Sequence, residues 1–265
     1  MKFENTKVFN FEGALRGMRN PKESWDKSDS GYECFFNANN PCSKDCAHPQ
    51  CHGHKDNYII GANDLKLAQT LIKSGPEHRK FMRQIFVCVD ITAPLYWWKE
   101  FDQYKISVTT NSTSTMHKMA SKPITLDCFE IDDFDEDLEI EPKESEINEK
   151  MYSVSFGYTV GDMAKNIIED LEKLRQKYLE TKDKRYWKEL IRWAPKSWLQ
   201  TRTVTLNYEN LLAMCSKGQR RFHKLNEWSG QDKPIAPNFI NWARSLPYAQ
   251  ELIFLDELEE KKNEN

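Results

Sequence analysis

Pro94-Leu-Tyr-Trp-Trp-Lys-Glu-Phe-Asp-Gln-Tyr-Lys105, followed by Ile-Ser-Val-Thr-Thr-Asn-Ser-Thr-Ser-Thr-Met116, is the stretch on which the fold reading turns. Pro94 suits the first turn of a helix, where its missing N–H costs nothing. Tyr96, Trp97, Trp98 and Phe101 then give an aromatic amphipathic face. The run Ser107 to Thr115 is rich in Ser, Thr and Asn, poor in a helix interior but able to offer hydroxyls and backbone amides to a ligand.

Upstream, Phe81 to Ile91 reads as a buried strand closed by Ala93-Pro94. Before it, Asn63 or Asp64 caps a helix whose apolar face is Leu65, Leu67, Ala68, Leu71 and Ile72, with Gly75-Pro76 ending it. The chain up to about Asn57 lacks periodicity and reads as irregular. Downstream, helices are predicted over Val160–Thr181 and Lys184–Trp193. A short one follows over Asn207–Ser216, and a last one over Pro237–Phe254 is interrupted near Pro247. The pattern predicts an α+β (α/β) fold, helices packed on a modest sheet, in one domain over 63–255. An N-terminal segment, 1–62, precedes it, and 256–265 is a charged tail.

The chain has 265 residues, of which 39% are hydrophobic and 12% aromatic, enough for a substantial core. A mean hydropathy of -0.77 and the lack of a long apolar run exclude a membrane-spanning helix. The N-terminus lacks the apolar core of a signal peptide, so a cytoplasmic location is expected. Residues 130–150 hold eleven acids against Lys143 and Lys150. This local charge of -9, within a chain total of -3, leaves +6 on the remainder, a body suited to an anionic ligand such as a nucleotide. The acidic segment reads as a surface insert.

Seven cysteines, an odd number, fit free thiols or metal ligands better than disulfides. Cys34, Cys42, Cys46, His48, Cys51, His52 and His54 are spaced C-x7-C-x3-C-x-H-x2-C-H-x-H. Thiolate and imidazole ligands favour a structural zinc, with Cys34, Cys42, Cys46, Cys51, His48 and His54 as the ligand set, and free thiols or redox chemistry as the alternatives.

Three stretches together resemble the flavin-dependent thymidylate synthases, the ThyX family. In His78-Arg-Lys-Phe-Met-Arg-Gln-Ile-Phe-Val-Cys-Val89, His78 matches the family's first His, while Arg83 and Gln84 replace its Glu and His. The Pro94 stretch keeps the family's Pro, aromatics, Asn111 and Ser112 to Ser114. It carries Gln103-Tyr104-Lys105 where the family has Arg-His-Arg, and Met116 where a later Arg is usual. The third runs from Arg192, ahead of Ala194-Pro195, through Asn207 opening a helix and Arg220 as the helical Arg. It closes on Ala249-Gln-Glu-Leu-Ile253. The stretches Arg16-Gly-Met-Arg-Asn-Pro21, Ser24-Trp-Asp-Lys-Ser-Asp-Ser30, Pro94 to Lys105, Asn111 to Met119 and His223-Lys-Leu-Asn-Glu-Trp228 also resemble a divergent branch of such proteins, often met in phages and in Gram-positive bacteria.

The resemblance implies a central, mainly antiparallel sheet and FAD as cofactor. NADPH and methylenetetrahydrofolate would be co-substrates, a dUMP-like nucleotide the substrate, and a homotetramer the assembly, with flavin sites shared between subunits. It assigns Arg220 to polarising the pyrimidine, where a fixed guanidinium fork stabilises developing negative charge, and Ser114 to the position beside it. Arg192, Glu100, Gln103, Ser112 and Arg221 fall in the substrate set; His78, Gln103, Tyr104, Lys105, Asn111 and Asn207 in the flavin set. A pyrimidine hydroxymethylase would use the same carbon donor. A nucleotide- or nucleic-acid-binding module that kept the fold and lost catalysis is the reading of another class. The replaced Arg-His-Arg favours it, while Arg220, Arg192, Ser114 and Asn207 favour the enzyme.

Overall fold

A computed structural model describes residues 1–34, 37–42, 54–141, 145–148, 151–154, 157–231 and 236–263. The elements run β1 (Lys2–Phe9), α1 (Phe11–Arg19), β2 (Gly31–Cys34), β3 (Asn37–Pro41), β4 (His54–Ile59) and α2 (Ala62–Lys73). Next come β5 (Phe86–Pro94), α3 (Leu95–Phe101), β6 (Thr109–Ser112), α4 (Thr115–Lys118), β7 (Glu139–Glu141), β8 (Ser145–Asn148), β9 (Met151–Val154) and β10 (Tyr158–Thr159). The rest are α5 (Val160–Thr181), α6 (Lys184–Trp193), β11 (Leu199–Asn207), α7 (Tyr208–Met214), α8 (Asn226–Ser229), α9 (Phe239–Arg244), α10 (Ala249–Leu252) and α11 (Leu255–Asn263). This is the expected α+β class. The largest sheet has the order β1-β5-β11-β6, and β3-β2-β4, β7-β10 and β8-β9 form smaller antiparallel sheets.

The chain divides into two compact units. The first comprises Met1–Lys2, Ile91–Gln103 and Asn111–Arg202; the second comprises Phe3–Asp90, Tyr104–Thr110 and Thr203–Asn265. In the first, Met119, Ala120, Ile124, Phe129, Leu171 and Leu190 form one core cluster. Helix α5 holds its place through a capping box in which Thr159 and Asp162 satisfy each other's backbone N–H groups, and Asp183 caps α6. Helix α3 follows Pro94 as expected. Its Trp97 ring lies 5.1 Å from Phe101 in a stacked arrangement and 4.9 Å edge-on from Trp98.

In the second unit, α1 buries Phe11, Ala14, Leu15 and Met18. These positions recur at helical spacing, so the composition of the N-terminal stretch conceals a periodic signal. Phe81 and Met82 also differ from expectation. They lie in a 3-10 turn, Lys80–Gln84, and the strand starts at Phe86. The reason is visible in burial: Phe81, Met82 and Ile85 are buried at helix-like spacing, and the strand alternation begins only at Val87, Val89, Ile91 and Ala93.

Buried Arg19 and Asp64 anchor this unit: Nε donates to Oδ1 at 2.5 Å, and Ser28 and Ser30 hydroxyls donate to Oδ2 at 2.6 and 2.5 Å. Burial alone would raise the Asp64 pKa, but these hydrogen bonds and the Arg19 charge outweigh it and hold the carboxyl below its usual range. The last predicted helix is divided as α9 and α10 by Ser245–Tyr248. Tyr248 there adopts φ 55°, and its hydroxyl accepts from Ile60 N at 2.9 Å and donates to Tyr58 O at 3.4 Å. The acidic segment is partly built: β7 pairs with β10, Glu139 opposite Thr159.

Candidate functional site

In the second unit, Tyr104 and Arg220 meet. Arg220 Nε donates to the Tyr104 hydroxyl at 3.1 Å, and that hydroxyl donates to Gln219 Oε1 at 3.2 Å. The guanidinium carbon sits 4.8 Å from the Trp228 ring centroid and 5.6 Å from that of Tyr104, so cation–π attraction adds to the hydrogen bond. Arg220 was expected on a helix. It lies in the turn after α7, which stops at Met214, with the weaker helix former Ser216 and the poor one Gly218 just beyond. The result is a guanidinium fixed in direction by a phenol and an indole.

Beside this group is a cleft of about 590 Å³. Its wall includes Lys73, Arg79, Tyr104, Gln219, Arg221 and Asp256. That is within the size range of small-molecule sites. Arg79 Nε is shared by both oxygens of Glu209 at 3.0 Å. Arg221 is buried; its Nε donates to Cys215 O at 2.6 Å and its Nη1 to Asp256 at 2.7 Å, with Glu257 at 3.3 Å. Its fork is thus engaged within the chain. The Arg244 hydrogen bond, reinforced by the charges of Arg244 and Arg221, holds the Glu257 carboxyl below its usual range. Burial pushes the Cys215 thiol far above a thiol's usual range, so it is an inert core group.

Of the remaining residues expected here, Lys105 and His78 are exposed, and His78 N donates to Gly75 O at 3.0 Å. Asn207 is buried and caps α7 in a reciprocal box with Asn210, at 2.9 and 3.1 Å.

The first unit holds the other expected residues. Ser114 is the N-cap of α4, its hydroxyl accepting from His117 N at 3.0 Å while its own proton stays available. Asn111 and Ser112 lie exposed on β6, Gln103 is exposed after α3, and Glu100 is half-buried on α3. Arg192 pairs with Glu189 one helical turn away. Helices α4 and α6 touch through Trp187 Nε1, which donates to Met116 O at 2.8 Å. Ser114 and Arg192 thus share one unit, whereas Arg220 belongs to the other.

Sequence reading missed a polar cluster close to Ser114. The Arg202 guanidinium lies 4.2 Å over the Trp98 ring, its Nη1 donates to Asp102 at 2.7 Å and its Nε to Gln200 Oε1 at 3.0 Å. Gln200 Nε2 donates in turn to Thr113 O at 2.8 Å. The available signal was the double Trp on α3 together with a cation two residues after an inward Gln on a strand. No short motif joins them.

Among the described residues, no group of three or more His, Cys, Asp or Glu side chains could hold a metal ion. Cys34 and Cys42 are half-buried thiols and His54 belongs to β4, while Cys46, His48 and Cys51 of the expected zinc set lie outside the described residues. No described helix is long and apolar enough to cross a membrane.

The fold is similar to that of solved flavin-dependent thymidylate synthases. The structure of ThyX from Helicobacter pylori complexed with FAD and dUMP aligns over 97% of this chain and 99% of its own, with a TM-score of 0.56 and 14% identity. A second structure of that protein with FAD and dUMP aligns over 95% and 97%, with a TM-score of 0.55 and 14% identity. The UMP/dUMP methylase PolB from Streptomyces cacaoi aligns over 74% of this chain and 82% of its own, with a TM-score of 0.47 and 17% identity. At 14% identity the likeness to ThyX is one of fold. No family model matches the sequence. No curated protein matches it either.

Proposed function

We propose that this chain is a flavin-linked enzyme of the thymidylate synthase X type, passing a one-carbon unit to C5 of a deoxyuridine nucleotide. One observation carries the reading: the fold agrees over nearly the whole length of both chains with a protein that holds FAD and dUMP. Arg220 is the group that grips the pyrimidine carbonyl. Tyr104 and Trp228 restrict its guanidinium, so less ordering is needed when charge develops on the ring. Ser114, as a hydroxyl donor, and Arg192, Glu100, Gln103 and Ser112 are assigned to nucleotide binding by resemblance alone.

The donor set around Tyr104 suits the ring system of a flavin, offering an aromatic ring, a phenol and an amide. Lys105 supplies the exposed cation for a phosphate, as a point charge instead of a bidentate fork. His78, Gln103, Asn111 and Asn207 belong with them by resemblance. When bound, the flavin supplies the hydride and carries the carbon from methylenetetrahydrofolate. The chain's own share is to bind, orient and polarise.

A second reading is a nucleotide-binding protein without turnover. It is favoured by Gln103-Tyr104-Lys105 in place of Arg-His-Arg, and by the Tyr104 hydroxyl being tied to Gln219 and Arg220. Purified protein tests both. Flavin absorbance with tritium release from C5-labelled dUMP supports the enzyme, whereas dUMP binding by colourless protein that takes up no FAD supports the second reading. Arg220→Ala should abolish dUMP binding, and retained binding would remove Arg220 from the site. Elution at the size of a tetramer is expected.

A further inference from the structure

Helix α11, Leu-Asp-Glu-Leu-Glu-Glu-Lys-Lys-Asn, is held in an unusual way. Among its described side chains only Leu255 is fully buried. Four acids project from its first two turns, and each meets a cation from elsewhere in the same unit. Asp256 pairs with Arg221 at 2.7 Å, Glu257 with Arg221 at 3.3 Å and with Arg244 at 2.5 Å, Glu259 with Lys73, and Glu260 with Lys217. Like charges three and four residues apart oppose helix formation. This helix therefore depends on the cations it covers. The Lys73–Glu259 and Lys217–Glu260 pairs are about half exposed, so they are weak and screened by salt.

The same acids crowd the cleft beside Tyr104: Asp256 and Glu259 line it together with Lys73, Arg79 and Arg221. Without those two carboxylates the wall would carry a surplus of positive charge, the setting in which a phosphate group binds. We propose that α11 is an internal competitor for a polyphosphate site, and that Lys73 on the cleft wall and Lys217, next in the chain to the lining residue Ser216, receive a phosphate-bearing ligand when this acidic helix withdraws. The ligand class is a linear chain of phosphates, free or within a dinucleotide. This goes beyond the flavin reading and does not require it.

The test uses the full chain carrying Asp256→Asn, Glu259→Gln and Glu260→Gln. Glu257 is kept so that buried Arg221 retains a carboxylate. Inorganic tripolyphosphate is titrated calorimetrically at low salt, and the variant should bind it about tenfold more tightly than the unmodified chain, the scale of removing weak surface pairs. Adding Lys73→Ala and Lys217→Ala should erase that gain. In the unmodified chain, tripolyphosphate should speed amide exchange in 255–263 beyond a sodium chloride control of equal ionic strength. Equal affinity in variant and parent, a gain that survives loss of both lysines, or unchanged exchange would each overturn the proposal. Displacement by FAD would assign the site to a dinucleotide, and its failure to displace would assign it to a free polyphosphate. Neither flavin colour nor turnover enters this test, so it can fail while the enzyme reading stands, and the reverse.

Discussion

Removing the Asp64 carboxylate should be among the most damaging single changes in the second unit. Asp64 and Arg19 are 0% and 5% exposed, and one carboxylate satisfies a guanidinium and two serine hydroxyls. Asp64→Ala strands the buried cation and leaves both hydroxyls short of an acceptor, a loss of about 3–5 kcal/mol. With a urea m-value of about 2–3 kcal/mol/M, the midpoint should fall by about 1–2 M at unchanged slope. Arg19→Met alone should cost a comparable amount. Asp64→Leu with Arg19→Met should recover much of it, because no charge is left behind. The effect also depends on pH. The folded-state pKa of Asp64 lies below its unfolded value, so the contribution is complete above the usual carboxylate range and disappears as pH falls through the folded value. Asp64→Asn and the parent should therefore converge in stability in acid. A penalty under about 1 kcal/mol at neutral pH, or a gap that persists in acid, would refute the account of Asp64 as a charge-bearing hub.

Other outcomes follow from single contacts. Asn207→Ala removes the side-chain half of the α7 cap and should cost about 1 kcal/mol in urea unfolding, with Asn207→Asp recovering most of it. Arg202→Ala should alter Trp98 fluorescence and lower stability by about 1–2 kcal/mol, and Arg202→Lys should restore only part, since an ammonium cannot lie flat on the indole while bridging Asp102 and Gln200. Burial raises the Glu227 carboxyl more than its backbone hydrogen bond lowers it. A raised folded pKa means stability that is present in acid and lost as pH rises through it, so Glu227→Gln should gain on the parent between acid and neutral pH. A pH-independent difference would count against that.

The helices were legible because each announces itself twice. Val160–Thr181 and Lys184–Trp193 coincide with α5 and α6, where apolar spacing agrees with Thr159 and Asp183 at the caps. Elements with only one signal were harder. Helix α1 has the spacing, but its N-cap Asn10 sits at φ 70° and forms no side-chain cap bond. The Phe81 turn was hidden because buried residues of a turn and of a strand share one alphabet until their spacing is compared with burial. Tyr104 and Arg220 were each singled out by resemblance, but not as partners of one another. Tyr104 and Arg220 are bonded across 116 positions, and nothing local in either segment specifies the other. That pairing is a product of tertiary packing, as is the capture of Arg221 by Asp256.

Tyr248 shows how a costly backbone can be retained. A tyrosine at φ 55° occupies a region where glycine would rest without strain, yet its phenol fastens two backbone groups of the β4 end. Replacement by glycine would relax the main chain and unfasten Ile60 at once. The residue best suited to the torsion is the worst suited to the tether. A protein engineer ranking substitutions by backbone geometry alone would choose wrongly at this position.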